Sequence, residues 1–225
     1  MRILSLDTST AACSIVLSED GELKGEINVE SEETHSVRLL PGIETLLRSC
    51  GCTIESVDIF AVVCGPGSFT GVRIGLTTIK GLAESLAKPT IPVTAFEAWV
   101  EKFPEHEGIL VPVIDARRGE VYSAVYSRNT GATELLLPGS VEKVSELLAS
   151  IAHPQACFLG GGAAIYESLI AVRTGWRVLS SDPFLGRAVS RIAFRRAEAK
   201  TVLSAAELQA YYLRRPDAEL KWKGQ

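Results

Sequence analysis

The chain has 225 residues, 46% of them hydrophobic and 22% charged, with a formal net charge of −4 at pH 7. That composition suits a globular core in one large or two small domains, and the charge balance argues against a dedicated nucleic-acid binder. No stretch approaches the ~18 consecutive apolar residues of a membrane span, and Asp7 comes too early for a signal peptide, so the cytoplasm is the expected compartment and no membrane partner is expected.

Residues 2–7 read as a short strand ending in the polar turn Asp7-Thr8-Ser9-Thr10, and residues 12–18 as a second strand. Glu19-Asp20-Gly21 is a hairpin signal, and residues 22–29 alternate polar and apolar as a third strand does. Leu40, Ile43 and Leu47 recur at helical spacing between about 34 and 49, with Pro41 marking a kink and Gly51 a stop. Residues 58–64 form a continuous apolar run, the pattern of a strand buried on both faces. The glycine-rich stretch that follows leads into the clearest helix, residues 71–87, ended by Lys88-Pro89. Its apolar positions Val72, Leu76, Ile79, Ala83 and Leu86 make a seam for packing against another helix.

The second half repeats this order. Strands are expected at 109–115, ending in Asp115, at 120–127 and at 133–137. A helix at about 141–151 follows, then a strand at 157–159 that opens onto Gly160-Gly161-Gly162. The pattern predicts an α/β chain of two subdomains, 1–105 and 106–225, each a mixed sheet with flanking helices. Such duplicated halves resemble the actin-like ATPase (ASKHA, ribonuclease H-like) architecture, in which both acids sit at phosphate turns.

Several residues could carry chemistry. Gly65-Pro66-Gly67-Ser68-Phe69-Thr70-Gly71 lies between a buried strand and a helix N-terminus, where free N–H groups and the helix dipole favour an anion. It is neither a Walker A loop nor a dinucleotide fingerprint, and a tight turn with close packing is the alternative. Asp7, Thr8 and Ser9 resemble a first phosphate turn, except that Thr8 stands where glycine would let backbone approach a phosphate; capping the hairpin is the alternative. Asp115 could reach a magnesium-bound water or pair with Arg117 and Arg118. The candidate nucleotide or anion set is therefore Asp7, Thr8, Ser9, Gly65, Gly67, Ser68, Asp115 and Gly161. His35, His106 and His153 are far apart with no H-x-x-x-H pair, so no metal site is expected. Five cysteines without a signal peptide argue against a disulfide framework. Residues 186–225 carry nine Lys/Arg against four Asp/Glu. There Arg187, Arg191 and Arg195 form one helical stripe, read either as a solvated face or as a contact for nucleic-acid phosphates or an acidic partner.

Four motifs in order resemble the TsaB (YeaZ) family. They are Ile3-Leu4-Ser5-Leu6-Asp7-Thr8-Ser9, His35-Ser36-Val37-Arg38-Leu39-Leu40-Pro41, Gly65-Pro66-Gly67-Ser68-Phe69-Thr70-Gly71-Val72-Arg73-Ile74-Gly75-Leu76 and Asp115-Ala116-Arg117-Arg118-Gly119-Glu120-Val121-Tyr122, with the late Tyr212-Leu213-Arg214 beside them. The resemblance implies an actin-like fold acting as the non-catalytic partner of TsaD. With the ATPase TsaE, that pair transfers threonylcarbamoyl to N6 of adenosine 37 in ANN-decoding tRNAs. It further implies tRNA contact only through the complex, a homodimer when the partner is absent, no required cofactor, and weak ATP or ADP binding at the complex or subdomain cleft. TsaD-type enzymes carry a metal-binding His-x-x-x-His in the segment corresponding to residues 93–100, and there Ala95 and Trp99 hold the two histidine places. The expected partner-binding helices bear His35, Leu39, Leu40, Ile43, Leu47, Val72, Leu76 and Ile79, unless these simply face the core. The competing reading is a stand-alone actin-like ATPase or small-molecule kinase.

Overall fold

The computed structural model describes residues 1–31 and 35–214, so Thr34, the expected start of the first helix, and residues 215–225 lie outside the described residues. Two compact units are present: residues 1–102 with 184–211, and residues 103–183 with the segment from Tyr212.

The first unit opens with an antiparallel meander, β1 (Arg2–Asp7), β2 (Ala12–Glu19) and β3 (Glu22–Glu30). The β2–β3 turn uses Asp20 and Gly21, both at positive φ, which is why an Asp-Gly pair sits there. Helix α1 (His35–Ser49) follows, then β4 (Ile59–Gly65), α2 (Phe69–Leu86), β5 (Thr90–Thr94) and α3 (Ala95–Glu101). Every residue of β4 is buried, as its continuous apolar run requires, and it pairs in parallel with β1 and β5. The sheet order is β3-β2-β1-β4-β5. Leu4, Leu6, Ile15, Leu17, Phe60 and Val62 face α1 and α2 in one apolar core. Thr94 opens α3 with a capping box to Glu97.

The second unit repeats the plan with β6 (Gly108–Asp115), β7 (Glu120–Asn129) and β8 (Ala132–Lys143), followed by α4 (Val144–Ser150) and β9 (Ala156–Leu159). Two short helices, α5 (Gly161–Ile165) and α6 (Glu167–Ile170), then lead to β10 (Trp176–Leu179). Its order, β10-β9-β6-β7-β8, is the first sheet's order with each strand replaced by its counterpart, and the parallel and antiparallel pairings agree strand for strand. The core of this unit is Val111, Val113, Val121, Val125, Leu147, Phe158 and Trp176.

Two expectations need correction. Residues 141–143 are strand, not helix, because Val141, Glu142 and Lys143 pair with Tyr122, Val121 and Glu120. Strand β10 is an element for which no expectation was drawn from the sequence. A division after residue 105 also fails, since the last helix, α7 (Gly186–Glu198), belongs to the first unit. Small polar side chains on the sheet receive it: Gly186 N donates to Ser14 Oγ at 3.1 Å, and Ser190 Oγ to Ser18 Oγ at 2.8 Å. Past α7, Leu203 bridges to Thr90, and Tyr211 N donates to the Cys64 carbonyl at 2.8 Å.

Candidate functional site

The glycine-rich turn faces protein, not open space. A Cβ on Gly67 would collide with the Ser9 carbonyl oxygen, one on Gly71 with the Thr8 carbonyl oxygen, and one on Gly75 with the Thr8 hydroxyl. Ser68 N donates to Ser9 O at 2.7 Å, Thr8 Oγ1 donates to Gly71 O at 2.8 Å, and the Ser68 hydroxyl caps α2 by accepting from Gly71 N. Gly65 has φ +117°, and a side chain there would press on the Tyr211 carbonyl. Carbonyl oxygens thus fill the close-approach space that a phosphate would need, and Ser9 and Ser68 already engage N–H groups of the turn. The close packing at Gly65, Gly67 and Ser68 is the arrangement that the tight-turn alternative expects.

Asp7 lies fully buried at the end of β1, its Oδ1 accepting from Ser9 N at 2.8 Å. Its Oδ2 and the Ser9 hydroxyl have no hydrogen-bond partner among the described residues. Burial pushes the Asp7 carboxyl above its ordinary range. His35 Nε2 lies 2.6 Å from the Thr10 carbonyl oxygen, which can only accept, so that nitrogen carries the proton and ties the start of α1 to the β1–β2 turn. Burial pushes the Cys13 and Cys64 thiols up to about 11 and about 12, the behaviour of inert core thiols.

The structure divides the eight expected partner-contact residues. His35, Leu39, Ile43, Leu47, Val72, Leu76 and Ile79 are buried, six of them in the first unit's apolar core, so for these seven the core alternative holds. Leu40 is 56% exposed, and it is joined by Val37, 68% exposed and three residues earlier on the same outer face of α1. Pro41 sits within this face, and its missing N–H leaves the Val37 carbonyl without the usual intrahelical donor. The spacing of Leu40, Ile43 and Leu47 joins one exposed position to two buried ones. Val37, three residues before Leu40, continues that spacing and is absent from the expected set.

In the second unit Asp115 is partly buried, and its Oδ1 accepts from Arg117 N at 2.9 Å. Arg117 and Arg118 have φ +64° and +59°, followed by Gly119 at +75°; left-handed backbone costs a non-glycine residue roughly 1–2 kcal/mol. Arg214 braces this turn, donating to the Ala116 carbonyl at 2.8 Å and pairing with Glu120. Gly161 opens α5 with open space where a side chain would stand, whereas its neighbour Gly162 lies against the Val113 backbone. The motifs at 115–122 and 212–214 are therefore one structural feature.

The Arg187, Arg191 and Arg195 stripe is exposed to solvent and also paired within the chain. Arg187 meets Glu26 through two hydrogen bonds, and Arg191 and Arg195 both bind Glu101, at 3.0 and 2.6 Å. Neighbouring Arg196 pairs with Glu97. Burial alone pushes the Glu101 carboxyl up, but the hydrogen bonds and charges of Arg195 and Arg191 outweigh it and hold the group below its ordinary range. Ala95 and Trp99 are buried apolar residues of α3. Among the described residues no three His, Cys, Asp or Glu side chains come together as metal ligands, and no helix is long and apolar enough to cross a membrane.

Residues 23–215 match the family described as TsaD: tRNA N6-adenosine threonylcarbamoyltransferase. The tRNA threonylcarbamoyladenosine biosynthesis protein TsaB of Bacillus subtilis (strain 168) is 32% identical over 230 residues, spanning 99% of this chain and 98% of that relative. The chain belongs to the TsaB family. The TsaB protein of Haemophilus influenzae is also 32% identical, over 99% of this chain and 96% of its own. Among solved structures, YeaZ from Pseudomonas aeruginosa superposes with a TM-score of 0.80 at 28% identity, covering 94% of this TsaB-family chain and 99% of the YeaZ chain. An activator of 2-hydroxyisocaproyl-CoA dehydratase from Clostridium difficile, solved with bound ADPNP, shares the fold alone, at 12% identity, a TM-score of 0.54 and coverage of 94% of this chain and 100% of its own. Together with the duplicated sheet order, these likenesses establish the actin-like fold.

Proposed function

We propose that this chain is the non-catalytic partner subunit in tRNA threonylcarbamoyladenosine biosynthesis. It holds a TsaD-type catalytic subunit and leaves to it the transfer of threonylcarbamoyl to N6 of adenosine 37 in ANN-decoding tRNAs. The observation that carries this reading is the end-to-end match to relatives named for that biosynthesis. Two features of the chain support the division of labour. Ala95 and Trp99, buried apolar residues of α3, stand where the resemblance to TsaD-type enzymes implies two histidines. Val37 and Leu40 present an apolar outer face on α1, the kind of anchor a partner helix buries. In this reading a TsaE-type ATPase completes the complex, tRNA is the substrate of the assembly as a whole, and the chain works in the cytoplasm without a cofactor of its own. When alone, the same α1 face supports a homodimer.

The decisive experiment is reconstituted tRNA modification with this chain present, omitted, or supplied without the TsaD-type subunit. Modification is expected only when both are present. Modification by this chain without its partner, or nucleotide turnover lost on Asp7→Ala or Asp115→Ala, would overturn the reading in favour of an independent enzyme. Copurification with Leu40→Glu and Val37→Glu variants tests the surface, and a folded variant that still binds the partner excludes it.

A further inference from the structure

Proline is the least favourable residue for a helix interior: it has no N–H to give the carbonyl four residues back, and its ring presses on that oxygen. Pro41 nevertheless lies inside α1, and its ring is exposed, so it fills no space in the core. A residue that weakens its helix without serving the core points to a use on the surface.

The oxygen left without its usual donor is the Val37 carbonyl. Among the described residues no hydrogen bond from outside the helix reaches it. At about 100° per residue, positions 37, 40 and 41 share one face of the helix, and on that face Val37 is 68% and Leu40 56% exposed. A carbonyl freed on the solvent side of a helix tilts outward and takes water as its partner. The face therefore couples two apolar anchors to one acceptor, which water satisfies only while the face stays open.

We infer that the TsaD-type subunit, in covering Val37 and Leu40, donates a hydrogen bond from one of its side chains to the Val37 carbonyl oxygen, so that Pro41 sets the specificity of this docking face. The inference rests on the proposed role as partner of that subunit, which in turn rests on the end-to-end match to relatives named for the same biosynthesis. A partner that covered the face with apolar side chains alone would strip the water and leave a buried acceptor unpaired, a larger penalty than the gain from an ordinary hydrogen bond. A hydroxyl, amide, ammonium or guanidinium from the partner avoids that penalty, and any surface lacking one is rejected. A second copy of this chain, docked about a two-fold axis at this turn, would set acceptor against acceptor. That favours a different chain as the occupant.

The test is Pro41→Ala, which supplies the missing N–H and occupies the Val37 carbonyl from within the helix. Its melting temperature should rise, because alanine suits a helix interior better than proline. Its affinity for the TsaD-type subunit, measured by titration calorimetry, should fall roughly tenfold. A second variant carries the α-hydroxy acid analogue of alanine at position 41, so that an ester replaces the amide: the ring is gone and there is still no N–H. It should bind like the parent. If both variants bind as tightly as the parent, the carbonyl is not used and the inference fails. If both are equally weakened, the proline ring or the kink is what the partner recognises, and the inference fails again. Weakened self-association of Pro41→Ala, with binding to the TsaD-type subunit unchanged, would make a second copy the occupant and overturn it as well. A parent chain that does not bind the TsaD-type subunit at all removes the underlying reading. A parent that binds, with Pro41→Ala binding equally well, removes this inference alone.

Discussion

Thr8 donates its hydroxyl to the Gly71 carbonyl oxygen at 2.8 Å, across 63 positions of sequence. This bond locks the β1–β2 turn onto the first turn of α2, and it needs the two backbones almost in contact. Gly67, Gly71 and Gly75 are what permit that approach: each has no side chain where Thr8 or Ser9 stands. The motif that reads as a phosphate cradle seats a neighbouring loop.

Gly71→Ala should therefore destabilise the protein by about 1–3 kcal/mol, because the added carbon meets a backbone oxygen that cannot move aside alone. Gly81, on the same helix, has nothing within 4 Å of its missing side chain. Gly81→Ala should stabilise by about 0.5–1 kcal/mol, the ordinary gain of alanine over glycine in a helix. Urea unfolding of the two variants gives opposite shifts in midpoint. A Gly71→Ala protein as stable as the parent would show that the loop contact is not tight.

Asp7→Asn should raise stability at neutral pH. The folded carboxyl is raised above its ordinary range by burial, so the wild-type protein loses stability as pH climbs from about 4 through the folded value. Asparagine keeps an oxygen for the Ser9 N–H and has no charge to bury. The variant's advantage should be near zero below pH 4, grow through that window, and then level off. Thermal melts at several pH values measure it, and an advantage that does not vary with pH refutes the account.

Much of this fold is legible from periodicity. The meander, the buried run of β4 and the repeated strand order all follow from local pattern, because each element buries one face or both. The return of α7 to the first unit is not legible: it depends on Ser14 and Ser18, small polar residues in β2 that receive a helix more than 170 residues away. The arginine stripe misleads for a related reason. Its spacing marks one helical face, but Glu26 and Glu101, which neutralise it, lie far off in sequence. The candidate interface was blurred by a single step of rotation. Adjacent helix residues point about 100° apart, so Leu39 and Leu40 cannot both face the core.

That contrast is measurable. Leu39 is 1% exposed within the apolar core, and Leu39→Ala should cost about 2–5 kcal/mol through lost burial and the cavity left behind. Leu40→Ala should change stability by no more than about 0.5 kcal/mol, as surface substitutions do, while weakening partner binding. Equal destabilisation by the two would mean that Leu40 is covered within the folded chain.

Glu101 offers a prediction with a distinct pH signature. It lies at the end of α3, its side chain 12% exposed, and two guanidinium groups of α7 converge on it. Gln at this position keeps some hydrogen bonds but removes the charge that both arginines were paired with. Because Arg191 and Arg195 remain substantially exposed, solvent screens part of the loss, and Glu101→Gln should cost about 1 kcal/mol at pH 7. The folded carboxyl is held below its ordinary range, so its contribution is present above about pH 4.3 and disappears as pH falls through the folded value. Parent and variant should thus differ in urea midpoint at pH 7, with the parent the more stable, and converge in acid; Asp7→Asn converges there too but with the opposite sign at neutral pH. Glu26→Gln, which removes the more exposed partner of Arg187, should shift the midpoint less at either pH. If Glu101→Gln left the midpoint unchanged at pH 7, α7 would be held on the sheet by its apolar and serine contacts alone, and the arginine stripe would need another explanation.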